Sequence, residues 1–137
     1  MSRCLLYTYN PTAGAVVAGD ALPVGGQSAI IRRHGCAANP SSTGIQLTEE
    51  GYYKIFVTAS ATAAAAGTMT AKLYQDGTAV PGATASATAA AAGDELTLAL
   101  PDAAVRVLRC PCRSTLTVVI SGIAATASTL TILVDKD

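Results

Sequence analysis

Charge is what this 137-residue chain has least of: only 13% of its residues are Asp, Glu, Lys or Arg, nine of each sign. That balance excludes the basic excess needed to hold phosphate backbones or an anionic bilayer, so neither nucleic acid nor a membrane is an expected partner. Trp is absent, and Phe and His each occur once. A single His leaves little for general acid–base work, and there is no zinc-protease helix, nucleophile elbow or phosphate-cradling Gly loop. No enzyme is expected, with no catalytic, cofactor-binding or metal residues. The start, Met-Ser-Arg-Cys-Leu-Leu-Tyr, lacks the basic stretch, apolar run and small-residue cleavage site of a secretory signal, which predicts synthesis and folding in a cytoplasm. Ser114 to Val134 carries no charge over a length that could span a bilayer. Its Thr-rich alternation and the Ser121-Gly122 break nevertheless read as two strands and a turn.

What is abundant is small and aliphatic. Half of the residues are hydrophobic, mostly Ala, Val, Leu and Ile, enough for one folded domain over 1–137. A surface so poor in charge predicts that part of it is hidden in an assembly. In Gly51 to Ser60, Tyr53, Ile55, Val57 and Ala59 fall on one face of a strand and Tyr52, Lys54 and Thr58 on the other. The alternation returns at Met69-Ala71-Leu73, Leu96-Leu98-Leu100, Val105-Val107, Leu116-Val118-Ile120 and Leu130-Ile132-Val134. Turn pairs separate these runs: Asp76-Gly77, Pro81-Gly82, Gly93-Asp94, Pro101-Asp102 and Ser121-Gly122. The string S-A-T-A-A-A-A-G occurs at Ser60 and again at Ser86. Alanine favours helix, but each copy is too short to hold one alone and continues a strand into a Gly, so both are expected to be strand ends and loops. In the N-terminal third, Leu5 to Tyr9 and Ala29 to Arg33 read as strands. Pro11 to Gly26 reads as loop with a short strand near Val16-Val17, and Pro40 to Gly44 as a turn. Residues 1–28 are thus expected to be a looser segment, suited to an attachment arm.

The residues that carry chemistry leave alternatives open. Cys4, Cys36, Cys110 and Cys112 number enough for a zinc site, but Cys-Pro-Cys is not the usual C-x-x-C knuckle, and free thiols, disulfides and inter-subunit links all remain consistent with the sequence. His34 follows Arg32 and Arg33 and lies two residues before Cys36. Shared face on a strand is not the geometry of a nucleophile pair, and a polar strand-edge histidine is the expectation. Glu49-Glu50 and Asp94-Glu95 sit at turns or strand entries, where solvated carboxylates are normal and calcium-loop offsets are missing. Tyr53 is expected in the core, with Tyr7, Tyr9, Tyr52 and Tyr74 covering sheet edges or subunit seams rather than lining a sugar site.

Glu50-Gly51-Tyr52-Tyr53-Lys54-Ile55 resembles the G-x-Y strand of the tumour-necrosis-factor and complement-type jelly rolls. Leu73-Tyr74-Gln75-Asp76-Gly77, Val80-Pro81-Gly82, Ala92-Gly93-Asp94, and Leu116 to Gly122 followed by Leu130 to Val134 are similar to its bacterial and phage branch. That branch includes heads of collagen-like spore-surface glycoproteins and phage-encoded proteins. The resemblance spans about Gly44 to Val134, with Ile55 departing from the aromatic motif and no Gly-x-y stalk in the chain. It implies a ten-strand, two-sheet antiparallel jelly-roll sandwich assembled as a homotrimer. The implied role is a capsid decoration or head-fibre protein on the surface of a phage or prophage virion, made in the host bacterial cytoplasm and bound to capsid or another virion protein. A bacterial spore or cell-surface display trimer, or a module binding a carbohydrate or receptor such as a host-surface glycan, is the alternative. The same resemblance implies a local structural or cross-linking role for the cysteines before the penultimate strand.

Overall fold

The computed structural model describes residues 4–35, 38–108 and 113–136, and of Cys4 the backbone only. Eleven strands run through them: β1 (Cys4–Asn10), β2 (Ile30–His34), β3 (Ala38–Pro40), β4 (Ile45–Leu47), β5 (Gly51–Ala63), β6 (Gly67–Gln75), β7 (Thr78–Ala89), β8 (Glu95–Ala99), β9 (Ala103–Val107), β10 (Ser114–Ser121) and β11 (Ala125–Lys136). The one helical element among these residues is a 3-10 turn at Gly26–Ala29. The first sheet has the order β2-β1-β11-β5, with β8 and β9 sharing the far side of β5, and the second has the order β3-β4-β10-β6-β7. All neighbours are antiparallel.

Alternation builds the core as the sequence predicts. Tyr53, Ile55, Val57, Ala59 and Ala61 of β5 face Met69, Ala71, Leu73, Leu116, Val118 and Ile120 of the second sheet in one hydrophobic cluster. β8 and β9 are two halves of one strand position. Leu100 still donates to the carbonyl of Val57 (3.1 Å), and Pro101, having no N–H, breaks the ladder before β9 resumes at Ile55↔Ala103. Counted this way, the strands fill the ten positions of an antiparallel jelly-roll sandwich.

One local reading needs correction. Pro81-Gly82 does not divide two strands but lies inside β7, where Val80 to Ala83 oppose Leu73 alone, so the turn chemistry makes a wide bulge. Pro is tolerated there because β7 is an edge. β3 and β4, three residues each, are too short to show a period, and the expected Pro40 to Gly44 turn joins them through Ser41 N–H to the Gly44 carbonyl (2.7 Å). In the N-terminal third the strands expected at Leu5 to Tyr9 and Ala29 to Arg33 are β1 and β2, and Pro11 to Gly25 is loop with an isolated bridge at Val16. β1 is paired on both sides, and the chain after it forms a strap that joins the two sheets. Val16 exchanges bonds with Ala125 of β11 (2.9 Å each way), while Leu22 donates to Val118 (2.7 Å) and Gly19 to Ile120 (2.8 Å) of β10. Leu6, Leu22 and Val24 are buried by this arrangement.

Both alanine repeats end strands at the same end of the sandwich. Ala64 to Ala66 turn β5 into β6, and Ala90 to Gly93 turn β7 into β8, where the Asp94 carboxylate accepts from the N–H of Ala90 (2.9 Å) and of Ala91 (3.3 Å). At the opposite end Asp76-Gly77 forms a two-residue hairpin with φ of 53° and 83°, the left-handed pair that such a turn requires. The Asp76 carboxylate also accepts from Thr115 N–H and Ser114 Oγ, both at 2.9 Å, pinning the hairpin to β10.

Gly122 and Gly93 both have φ of 92°, but a Cβ on Gly122 would meet the Thr68 carbonyl oxygen at 2.1 Å, whereas one on Gly93 would meet nothing within 4 Å. Gly93→Ala should therefore lose about 1–2 kcal/mol through its backbone conformation alone, and Gly122→Ala distinctly more, as measured by urea unfolding of the two variants side by side.

Candidate assembly surface

The sequence candidates for chemistry do not converge. Cys36, Cys110 and Cys112 lie outside the described residues, and of Cys4 only the place at the start of β1 is known. His34 is exposed at the end of β2, paired with Leu5. No group of three or more His, Cys, Asp or Glu side chains among the described residues is arranged to hold a metal ion. Glu95 accepts from Thr62 Oγ1 (2.9 Å), and Glu49 pairs with Lys136 (Nζ to Oε1 3.8 Å). Lys136 is only 4% exposed and its ammonium lies 6.0 Å from the centroid of Tyr53, whose hydroxyl donates to the Glu49 carbonyl (2.7 Å). The signal for that buried lysine was the inward alternation of Leu130, Ile132 and Val134, which extends to position 136.

The two outer faces of the sandwich differ in composition. On the second sheet the outward residues of β6 and β7 are mostly hydroxylic, and they bond one another across the strands: Thr68 with Thr88 (3.2 Å) and Thr70 with Ser86 (2.9 Å). Such a face is at ease in water. On the first sheet, register places Tyr7 beside Leu133 and Leu133 beside Phe56, an apolar row across the three central strands β1, β11 and β5. The next row is Tyr9, Thr131, Thr58 and Ala99, which adds another ring and otherwise small side chains. Tyr7 and Tyr9 are exposed, Phe56 and Leu133 half-buried, and no segment of the described chain crosses over them.

The local reason is parity. Core-facing Leu6, Ile55, Ile132 and Val134 alternate with Tyr7, Phe56, Leu133 and Tyr9, so these strands are apolar on both sides at mid-length. Antiparallel sheets with one wet face normally alternate apolar with polar. Charge lies at the margins of this face: Arg32 sits beside Tyr7 at the β2 edge, and at one end Lys54 sits beside Asp135 and the guanidinium of Arg106 lies 5.7 Å from the ring centroid of the exposed Tyr52. Towards the other end hydroxyls and methyls follow, including Ser60 and Thr129 at 2.5 Å, as far as Glu95 beside Thr62. The tyrosine expectation is therefore met for Tyr53 in the core, while Tyr7, Tyr9 and Tyr52 share the outer face of one sheet and Tyr74 lies half-buried on the other.

No protein-family model matches the chain, and no curated protein sequence does. Solved structures match over nearly the full length. Vertex protein P5 of PRD1 is similar with a TM-score of 0.60 and 17% identity, covering 97% of this chain and 96% of that one. Murine APRIL at pH 8.0 aligns with a TM-score of 0.66, 10% identity and coverage of 98% and 99%. The Eiger TNF of S. frugiperda aligns with 0.61, 10%, and coverage of 100% and 94%. At these identities the likeness establishes the fold, a TNF-like jelly roll found in both a phage vertex protein and TNF-type proteins.

Neighbouring positions of β5 should respond oppositely to one charge. Phe56→Asp is expected to keep the β-type circular dichroism spectrum of the parent, since its side chain points out of the sandwich. Ile55→Asp, fully buried, is expected to abolish the folded spectrum, because an unpaired carboxylate in the core costs several kcal/mol.

Proposed function

We propose that the chain is a non-enzymatic structural protein of a phage virion, assembled as a homotrimer through the outer face of its first sheet and carried on the capsid surface as a decoration or head-fibre protein. The observation that carries this reading is the apolar Tyr7-Leu133-Phe56 row across the middle of the first sheet's outer face, with the charged side chains of Arg32, Lys54, Asp135, Arg106 and Glu95 confined to its margins. An apolar centre ringed by hydroxyls and a few charges is the anatomy of a protein interface, whose core is depleted in charge and enriched in aromatics. Rings of an odd number of copies bury such a face heterologously, each protomer meeting the next with a different patch. Three copies follow from the resemblance of the sequence to the tumour-necrosis-factor and complement-type jelly rolls.

The virion assignment draws on the likeness to the PRD1 vertex protein, which joins the same fold to a particle. A domain built this way needs no cofactor or metal: its work is to hold shape and present surfaces. If the reading is right, the wild-type protein should sediment with particles in a density gradient of the phage lysate, and Phe56→Asp should leave it in the soluble fractions. Wild-type protein confined to fractions without particles would contradict the virion assignment.

A further inference from the structure

The edge of the first sheet at β2 is built unlike the rest of the sandwich. β2 is the outermost strand, paired with β1 on one side and with no described strand on the other, so one row of its backbone groups is open to a further strand. Both of its faces are in solvent: Ile31, Arg32, Arg33 and His34 are all exposed, Ile31 at 44%. Ile31 is the extra residue of a bulge, lying between the pairs Tyr7↔Arg32 and Thr8↔Ile30. The adjoining positions place three consecutive nitrogen-rich side chains along an edge of a molecule with very little charge. None of the three is in an ion pair among the described residues. The Arg32 guanidinium folds back on the Ile31 carbonyl (3.0 Å), and that of Arg33 meets the side-chain oxygen of Asn39.

We propose that the β2 edge docks an extended acidic segment of another protein, added to the first sheet as one more strand. Main-chain bonds along the open edge would supply the pairing, carboxylates would meet Arg32 and Arg33, with His34 as a further polar contact, and an apolar side chain would cover Ile31. A second copy of this chain is a poor occupant of the same edge, because pairing β2 with itself brings like charges together. Nucleic acid would engage the arginines but has no use for a backbone ladder. The contact rests on the fold and the charge of one edge, so it stands or falls separately from the trimer and the virion assignment.

The test titrates the full-length protein calorimetrically with a capped eight-residue peptide of Val and Glu whose Glu residues come in adjacent pairs, so that carboxylates reach both Arg32 on one face of the edge and Arg33 on the other. Three further probes are its Val and Lys counterpart, the acidic peptide N-methylated at alternate residues, and a single-stranded oligonucleotide of equal charge. The acidic peptide should bind, weaken as salt rises, and lose at least about tenfold in affinity with Arg32→Gln/Arg33→Gln, a change on the exposed edge that leaves the core untouched. N-methylation should abolish binding, because it removes the ladder donors while keeping every carboxylate. Equal binding of the N-methylated peptide or of the oligonucleotide would reduce the edge to a simple anion attractor and overturn the proposal. So would binding that survives the double substitution, or no binding by the acidic peptide at all.

Discussion

The antiparallel ladder between β5 and β11, running from Ala125↔Ala63 to Lys136↔Tyr53, sets the geometry of everything else. Because side chains alternate along it, a slip of β5 by one residue would turn Ile55 and Val57 outward and bring Lys54 and Phe56 into the core. The aliphatic set on the inner side holds the register, and the second sheet closes over it. β1 then docks on the free side of β11, and β8 and β9 on the free side of β5. The same register delivers Tyr7, Leu133 and Phe56 to one row on the outside. Core and candidate interface are thus two consequences of one ladder.

The alternating runs were legible because each buries one face against a core of ordinary side chains: Gly51 to Ser60, Met69 to Leu73, Leu116 to Ile120 and Leu130 to Val134 all became strands with the expected inward residues. The alanine repeats were legible against their own helix preference, because flanking strands and a terminal Gly override it. Less visible was whatever depends on long-range pairing. β7 alternates inward Ala with outward Thr and Ser from Ala83 to Ala89, a period that side chains as small as alanine announce weakly, and the three-residue β3 and β4 are held by pairing, β4 with β10 and β3 with β4. The segment from Pro11 to Gly25 is loop, as it reads; what the sequence did not show is that its residues 13 to 22 are tied to β10 and β11, more than 90 residues away in the chain, and Val24 and Gly25 to Ser42. Of the candidate surface, the composition indicated that something uncharged would be hidden. Only register showed which residues lie side by side.

Charge is distributed as unevenly as hydrophobicity. Among the described residues Arg32, Arg33, Lys54, Lys72, Arg106, Arg113 and Lys136 lie, with Glu49, Glu50, Asp76 and Asp135 among them, in the half of the sandwich that holds the start of β5 and the end of β11, while the alanine turns at the other end have only Asp20, Asp94 and Glu95 near them. A neutral chain can therefore have two unlike ends. The TNF-like fold supplies the rigid body, and its edges and faces supply the contacts.

The central claim is that the outer face of the first sheet is covered by other copies of this chain. Its most direct test is the molar mass of the purified protein in solution by light scattering, with and without reductant. A mass near 41 kDa, three times the 13.7 kDa of one chain, in both conditions is the predicted result. A stable species of one chain at micromolar concentration would contradict the account, leaving the Tyr7-Leu133-Phe56 row without the partner that explains it.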